Sequence, residues 1–138
     1  MKYITAVSAL NIPFGLIQCD WHQTEMLKNN FYQIHPSNFM GAVDIFGNYG
    51  IYDNTDFFTK KGFEVSGVLV ASPIRALLDI LFNSIVERGV YPKHFMMRDY
   101  LFDEIDRVEL SEKLNTFGEA LSSGKLDMLL RWRAENEI

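Results

Sequence analysis

One cysteine and two histidines in the N-terminal third of the chain have part of the spacing of a metal site. Cys19 and His22 are separated by two residues, and His35 follows thirteen positions later. Thiolate and imidazole groups bind zinc well, but a structural zinc site needs four ligands and usually more than one thiolate. The chain has one cysteine and three histidines in all. We therefore expect neither a metal nor a cofactor, and we interpret His22 as a hydrogen-bonding residue near a turn.

Asp20 and His22 flank Trp21 and could form an acid–base pair. In an extended strand, alternate side chains point to the same face, so the carboxylate and the imidazole would lie side by side. No nucleophile is evident next to them, which makes a catalytic pair a weak interpretation. Trp21 is instead typical of residues that dominate protein contact surfaces. A partner-binding patch around Trp21 is the better functional interpretation, and a partly buried core residue is the ordinary structural one.

Three polar residues recur at four-residue steps in an otherwise apolar stretch: Arg75, Asp79 and Asn83. This spacing places them on one face of a helix. On an exposed surface the Arg–Asp pair would contribute only about 0.3 kcal/mol. On a buried helix, the same residues would form a partly desolvated polar line, which either anchors a neighbouring loop or contacts a partner. We favour anchoring and keep partner binding as the alternative.

The stretch around these residues predicts one helix that is apolar on most of its circumference. Ser72 is a suitable N-cap, and Pro73 fits the first helical position because it lacks a backbone donor that would have no partner there. Gly89 is a suitable end. Apolar residues follow at three- and four-residue steps, which predicts a helix packed on most sides; they are Ile74, Leu77, Leu78, Leu81, Phe82 and Ile85.

This helix start resembles the Ser-Pro-x-Arg-Ala-Leu-Leu-Asp signature of the AbiEi-like abortive-infection antitoxins. The matching residues are Ser72, Pro73, Arg75, Ala76, Leu77, Leu78 and Asp79. The family often has Glu where this chain has Ile74, which removes a favourable charge from the first helical turn. The similarity extends over roughly residues 60–135. The N-terminal winged-helix DNA-binding domain of many family members has no evident counterpart in this sequence.

The resemblance implies a non-enzymatic protein that counteracts a nucleotidyltransferase-type toxin, its cognate partner. For Arg75 and Asp79 it implies a role in folding or in partner contact, and no catalytic role. Two alternatives remain open: a DNA-binding regulator of its own operon, and a small enzyme that uses Asp20 and His22.

The charge of the chain is concentrated at its C-terminal end. The net charge is −5, and residues 1–98 carry eight acidic and eight basic side chains, whereas residues 99–138 carry ten and five. An acidic helical end repels phosphate backbones and attracts basic surfaces. We therefore expect no nucleic-acid binding here, and we select Glu109, Glu112 and Glu119 as residues that could face a basic surface of the toxin. A solvated helix face is the simpler alternative.

The N-terminal segment superficially resembles a lipoprotein export signal that ends at Cys19. Gln18 is too large for the residue that normally precedes such a cysteine, and Asn11 and Pro13 interrupt the apolar run. No apolar run has the length needed to cross a bilayer. We therefore expect a cytoplasmic protein whose N-terminal segment is part of the fold.

The complete pattern predicts a single α+β domain over residues 1–138. Residues 1–71 should be mainly strand and loop, with a small antiparallel sheet from the runs 43–46, 49–52, 63–66 and 68–71 and a hairpin around Gly47 and Gly50. Residues 72–138 should be mainly helical. Leucines and aromatics at helical spacing over 110–121 and 126–132 predict a C-terminal helical hairpin that covers the central helix. The sequence does not indicate an oligomeric state.

Overall fold

The computed structural model describes residues 3–14, 42–64, 66–93, 95–101 and 103–138. Its helices and strands are α1 (Ala6–Leu10), β1 (Ile51–Asp53), α2 (Thr55–Lys60), β2 (Leu69–Ala71), α3 (Pro73–Phe82), α4 (Glu104–Glu119) and α5 (Ser123–Glu135). Residues 42–46 are also helical, α3 continues as a π-helical turn over Asn83–Glu87, and a 3-10 turn spans Met97–Asp99. The predicted α+β architecture is confirmed.

The sheet forms between segments that are distant in sequence. β1 and β2 pair antiparallel, with Tyr52 opposite Val70, and α2 lies between them in the chain. Ile4 extends the sheet on the other edge of β2 in parallel orientation, because its N–H donates to Leu69 O and its carbonyl accepts from Ala71 N, both at 2.8 Å. The small antiparallel sheet is therefore present, and its strands come from the second and fourth of the predicted runs.

Two of the predicted strands are wrong. Residues 42–46 are helical, with Ala42 and Phe46 buried one turn apart and Asp44 exposed. A short apolar run has no periodicity that separates a strand from a helical turn. Gly47, at φ +57°, ends this turn, and its N–H donates to Val43 O at 2.7 Å. Residues 63, 64 and 66 lie outside any strand, and residue 65 is outside the described residues.

α3 begins as the sequence predicts. Ser72 is extended, and its hydroxyl accepts a hydrogen bond from the backbone N–H of Arg75 at 3.3 Å, with Pro73 at the start of the helix. All residues from 73 to 79 are buried. The π-helical turn that follows is closed by Arg88 N–H donating to Asn83 O, and Gly89 at φ +64° ends the helical path.

α4 and α5 form the predicted C-terminal hairpin. The Asp103 side chain caps α4 by accepting from Ile105 N at 2.8 Å. Each helix buries one stripe, which consists of Leu110, Leu114 and Phe117 in α4 and of Leu129 and Trp132 in α5. The two predicted helical runs left residues 122–125 between them, but α5 already begins at Ser123, so Gly124 lies in its first turn.

α3 is the centre of the core. It packs against α1 and β2 on one side and against α4 on the other, while α5 packs against the π-helical turn. The rings of Phe46 and Phe82 both contact Phe117 of α4, with centroids 5.7 and 6.2 Å away. The prediction that the central helix is largely buried and covered by the hairpin is confirmed. Among the described residues, no helix is long and apolar enough to cross a membrane.

Candidate functional site

A polar cluster at the start of α3 is closed off from solvent. Arg75 and Asp79 have no exposed side-chain area, and Arg75 Nε donates to Asp79 Oδ1 at 2.9 Å. The other carboxylate oxygen accepts hydrogen bonds from Tyr3 Oη at 2.7 Å and from Thr5 Oγ1 at 2.6 Å. Tyr3 Oη in turn accepts from Arg75 Nη2 at 3.1 Å. These four residues, which we call the buried cluster, connect the N-terminal segment to α3.

Arg75 also holds the turn that precedes β1. Its Nη1 donates to the carbonyl oxygens of Gly47 and Tyr49, each at 2.8 Å. Gly50, at φ +70°, lies so close to the helix start that an added Cβ would be 2.7 Å from both Arg75 Cβ and Ser72 Oγ. The guanidinium therefore satisfies two loop carbonyls, and only glycine permits this approach of the turn to the helix.

Burial determines the protonation behaviour of the cluster. Desolvation raises the pKa of Asp79, although Arg75, Thr5 and Tyr3 all favour its ionised form. Desolvation, followed by the Asp79 charge, also raises the pKa of Tyr3 well above its usual range. Tyr3 is thus held as a neutral donor, and the carboxylate is stabilised by its three donors rather than by water.

The cluster cannot bind a partner directly because Arg75 and Asp79 expose no surface. Of the two roles that the sequence left open, the geometry therefore supports anchoring of a neighbouring loop for these two residues. Asn83, further along the same line, is half-buried, and Glu87, which continues the line four residues later, is exposed. Only the C-terminal end of the polar line reaches the surface.

A second polar region lies on the exposed side of α4. Ile105 and Val108 are 75% and 53% exposed, on the side of the helix opposite its buried stripe. They line a shallow groove together with Glu104, Glu109 and Glu112. We call these five residues the acidic ridge. An exposed apolar pair ringed by like charges is typical of a contact surface rather than of a catalytic pocket.

One flank of the acidic ridge is fixed by Tyr49. The Tyr49 hydroxyl donates to Glu109 Oε1, and Lys113 Nζ lies 4.1 Å from the centre of the Tyr49 ring. Desolvation and the neighbouring Glu109 raise the pKa of Tyr49. Burial, with Asp103 and Glu109 nearby, raises the pKa of Asp106. Glu109 is therefore partly committed to an internal contact, whereas Glu112 is exposed.

Glu119 lies apart from the groove. It is exposed at the last residue of α4, two turns beyond Glu112, or about 10 Å along the axis. Glu109, Glu112 and Glu119 share one side of the helix, as their spacing predicts. The structure groups the first two with Ile105 and Val108 and leaves the third outside.

Several residues of the sequence-based hypotheses lie outside the described residues. They are Cys19, Asp20, Trp21, His22 and His35. Within the described ranges, no group of three or more potential ligands is placed to hold a metal. Asp53 is engaged locally, since its Oδ1 accepts from the backbone and the hydroxyl of Thr55, and these bonds lower its pKa.

Five residues of these two regions were not predicted from the sequence, and Glu104 is one of them. Tyr3 and Thr5 are partners of Asp79 across more than seventy residues, and no local signal links them. Ile105 and Val108 did have a signal, because they fall on the polar side of a helix whose core stripe is Leu110, Leu114 and Phe117.

Comparisons of the chain with protein-family models, with curated proteins and with solved structures found no match.

Proposed function

We propose that the protein is a cytoplasmic, non-enzymatic, antitoxin-like protein that counteracts a nucleotidyltransferase-type toxin. The observation that carries this proposal is the division of the polar residues into a sealed structural cluster and an open acidic surface. The segment with the antitoxin-like signature, residues 72–79, forms the structural centre of the fold and is buried apart from the half-buried Ser72. Its polar side chains therefore support the fold, and the exposed side of α4 is left for contact.

The surface charge favours a protein partner over nucleic acid. Glu104 and Glu112 are exposed on α4, and Asp106 and Glu109 lie half-buried on the same helix. A surface of this sign repels a phosphate backbone and attracts Lys- and Arg-rich surfaces. A DNA-binding regulator would need the opposite charge, so a mobility-shift assay of the chain with its own upstream DNA should show no complex.

Co-expression tests the proposal. The chain is produced together with the nucleotidyltransferase-type protein of the neighbouring reading frame, which on its own should arrest growth. We expect co-expression to restore growth, because the chain neutralises the toxin. Arrest that persists while the chain accumulates in folded form would contradict the proposal, as would the absence of any such neighbouring frame.

A double substitution separates this function from an enzymatic one. Asp20→Asn combined with His22→Gln removes both groups that an acid–base mechanism would use. The double variant should restore growth as fully as the unaltered chain. Loss of rescue by a variant with an unchanged melting temperature would favour the enzyme.

A further inference from the structure

The acidic ridge combines an apolar centre with a charged border. Ile105 and Val108 lie three residues apart, so their side chains are neighbours on the helix surface. Glu104, Glu109 and Glu112 surround them. Protein interfaces have this arrangement, in which apolar residues at the centre lose their water and polar residues form the rim.

The basic residues of α4 do not neutralise the acidic ridge. α4 contains two of them, Arg107 and Lys113. Arg107 Nη2 donates to the carbonyl oxygen of Glu137 at 3.0 Å, and Lys113 lies over the ring of Tyr49. Lys113 is thus held beside Tyr49 on the Glu109 side of the ridge, and Arg107 is held toward the C-terminal end of the chain. The three carboxylates of the ridge therefore keep an excess of negative charge.

The charge also restricts what can cover the ridge. A symmetric dimer through the ridge would place the acidic groups of one copy against those of the other, which opposes association. Nucleic acid is repelled for the same reason. The complementary occupant is a protein surface with an apolar patch bordered by Lys or Arg. An enzyme that binds nucleotide phosphates must present such cations at its substrate site.

We infer that the acidic ridge of α4 is the docking surface for a basic, partly apolar protein surface, and that it acts by direct masking of the toxin's phosphate-binding face. This inference rests on the proposed function, because that function supplies the partner. It adds the mechanism: physical contact through Ile105 and Val108, guided by Glu104 and Glu112. Glu109 contributes charge while it remains bonded to Tyr49.

The surface is tested first with a defined probe, a synthetic amphipathic helical peptide of Lys and Leu residues. Methyl resonances of the full chain are followed by NMR during titration. We expect the largest chemical-shift changes at the methyl groups of Ile105 and Val108. The variant that combines Glu104→Lys with Glu112→Lys should bind the peptide about tenfold more weakly. The matched control is Asp127→Lys combined with Leu130→Ser, which alters an exposed acid and a 51% exposed leucine on α5 and should leave binding within about twofold. Shifts centred elsewhere, or equal losses in both variants, would overturn the assignment of the surface.

Direct binding to the purified toxin is the second measurement. The Glu104→Lys/Glu112→Lys variant should associate about tenfold more slowly and show a flatter salt dependence, since charges at a rim act mainly on association. Ile105→Ser combined with Val108→Ser should instead speed dissociation. Unaltered melting temperatures would show that both variants are folded. Sedimentation should give the same mass for the unaltered chain and the serine variant, whereas a dimer that depends on Ile105 would identify a second copy as the occupant and overturn the inference.

The two proposals fail in different ways. Rescue of growth without measurable binding to the toxin would overturn masking by the ridge and leave the antitoxin function intact. Binding of the toxin through the ridge without rescue of growth would overturn the proposed antitoxin function, but the ridge would remain the docking surface. Binding and rescue that are both lost in the ridge variants, and kept in the α5 control, support both.

Discussion

Arg75 and Asp79 show how tertiary structure changes the meaning of a residue pair. Their four-residue spacing is that of a surface ion pair, which contributes little because water screens it. In this fold both side chains are fully buried, with Arg75 Nε 2.9 Å from Asp79 Oδ1. The N-terminal segment and the turn before β1 supply their other hydrogen bonds. Loss of one partner would leave a desolvated charge, which costs far more than the pair itself contributes.

The buried pair predicts a strongly non-additive response to substitution. Arg75→Met alone and Asp79→Leu alone should each lower the free energy of unfolding by about 3–5 kcal/mol, and the double variant should lose clearly less than the sum. Urea denaturation measures all three. The control is Arg131→Met. Arg131 Nε lies 3.1 Å from Glu135 Oε1 in an exposed ion pair. This substitution should lower the free energy of unfolding by less than about 1 kcal/mol. Additive losses at Arg75 and Asp79 would show that the two charges are not coupled.

At the scale of elements, the turn over residues 47–50 and the start of α3 depend on each other. Gly47 and Gly50 both have positive φ, at +57° and +70°. An added Cβ at Gly47 would meet no atom within 4 Å, whereas at Gly50 it would be 2.7 Å from Arg75 Cβ and Ser72 Oγ. A side chain at Gly47 would therefore meet backbone strain alone, whereas a side chain at Gly50 would meet both backbone strain and a steric clash.

Alanine substitution at these glycines should give unequal losses. Gly47→Ala should destabilise the protein by about 1–2 kcal/mol, the cost of a left-handed conformation for an L-residue. Gly50→Ala introduces the same backbone strain, and its methyl group must also displace Ser72 or Arg75. The free energy of unfolding should therefore fall by about 1–3 kcal/mol more than in Gly47→Ala. Thermal or urea unfolding of the two variants measures the difference. Equal stability of the variants would mean that the turn can move away from α3 freely.

Helices were predicted better than strands because their signal is local. The start of α3, with Ser72 and Pro73, and the stripes of α4 and α5 follow from residues within one or two turns of each other. A strand depends on its neighbour in the sheet. Residues 43–46 pair with no strand among the described residues and are helical, while residues 51–53 and 69–71, which flank α2, pair with each other.

At the scale of the whole molecule, tyrosines connect segments that are distant in the sequence. Tyr3 donates to Asp79, Tyr49 to Glu109 on α4, and Tyr91 to Glu135 on α5. Tyr91 is also covered by Arg131, whose guanidinium carbon lies 4.0 Å from the ring centre. Desolvation and the accepting carboxylates raise the pKa of Tyr91 to about 12 and raise those of Tyr3 and Tyr49 further.

These raised pKa values predict a loss of stability in alkali. An unfolded tyrosine releases its proton near pH ~10, whereas the folded protein retains it to higher pH. The free energy of unfolding should therefore fall as the pH rises above about 10 and continue to fall through the folded pKa values. Urea denaturation at a series of pH values measures this slope. Tyr3→Phe should be less stable at neutral pH, because Asp79 loses a donor, but should show a shallower alkaline slope. An unchanged slope would show that Tyr3 is not held neutral by the fold.

The sequence by itself determined the central helix, the C-terminal hairpin and the acidic character of the last forty residues, because helical periodicity and charge are properties of neighbouring residues. Only the tertiary structure decided that Arg75 and Asp79 are sealed inside, since their partners Tyr3 and Thr5 lie more than seventy residues away. It also decided which acidic residues share a surface with Ile105 and Val108. Burial is a property of the packed molecule, and the same ion pair is therefore a surface contact in one fold and the centre of the core in this one.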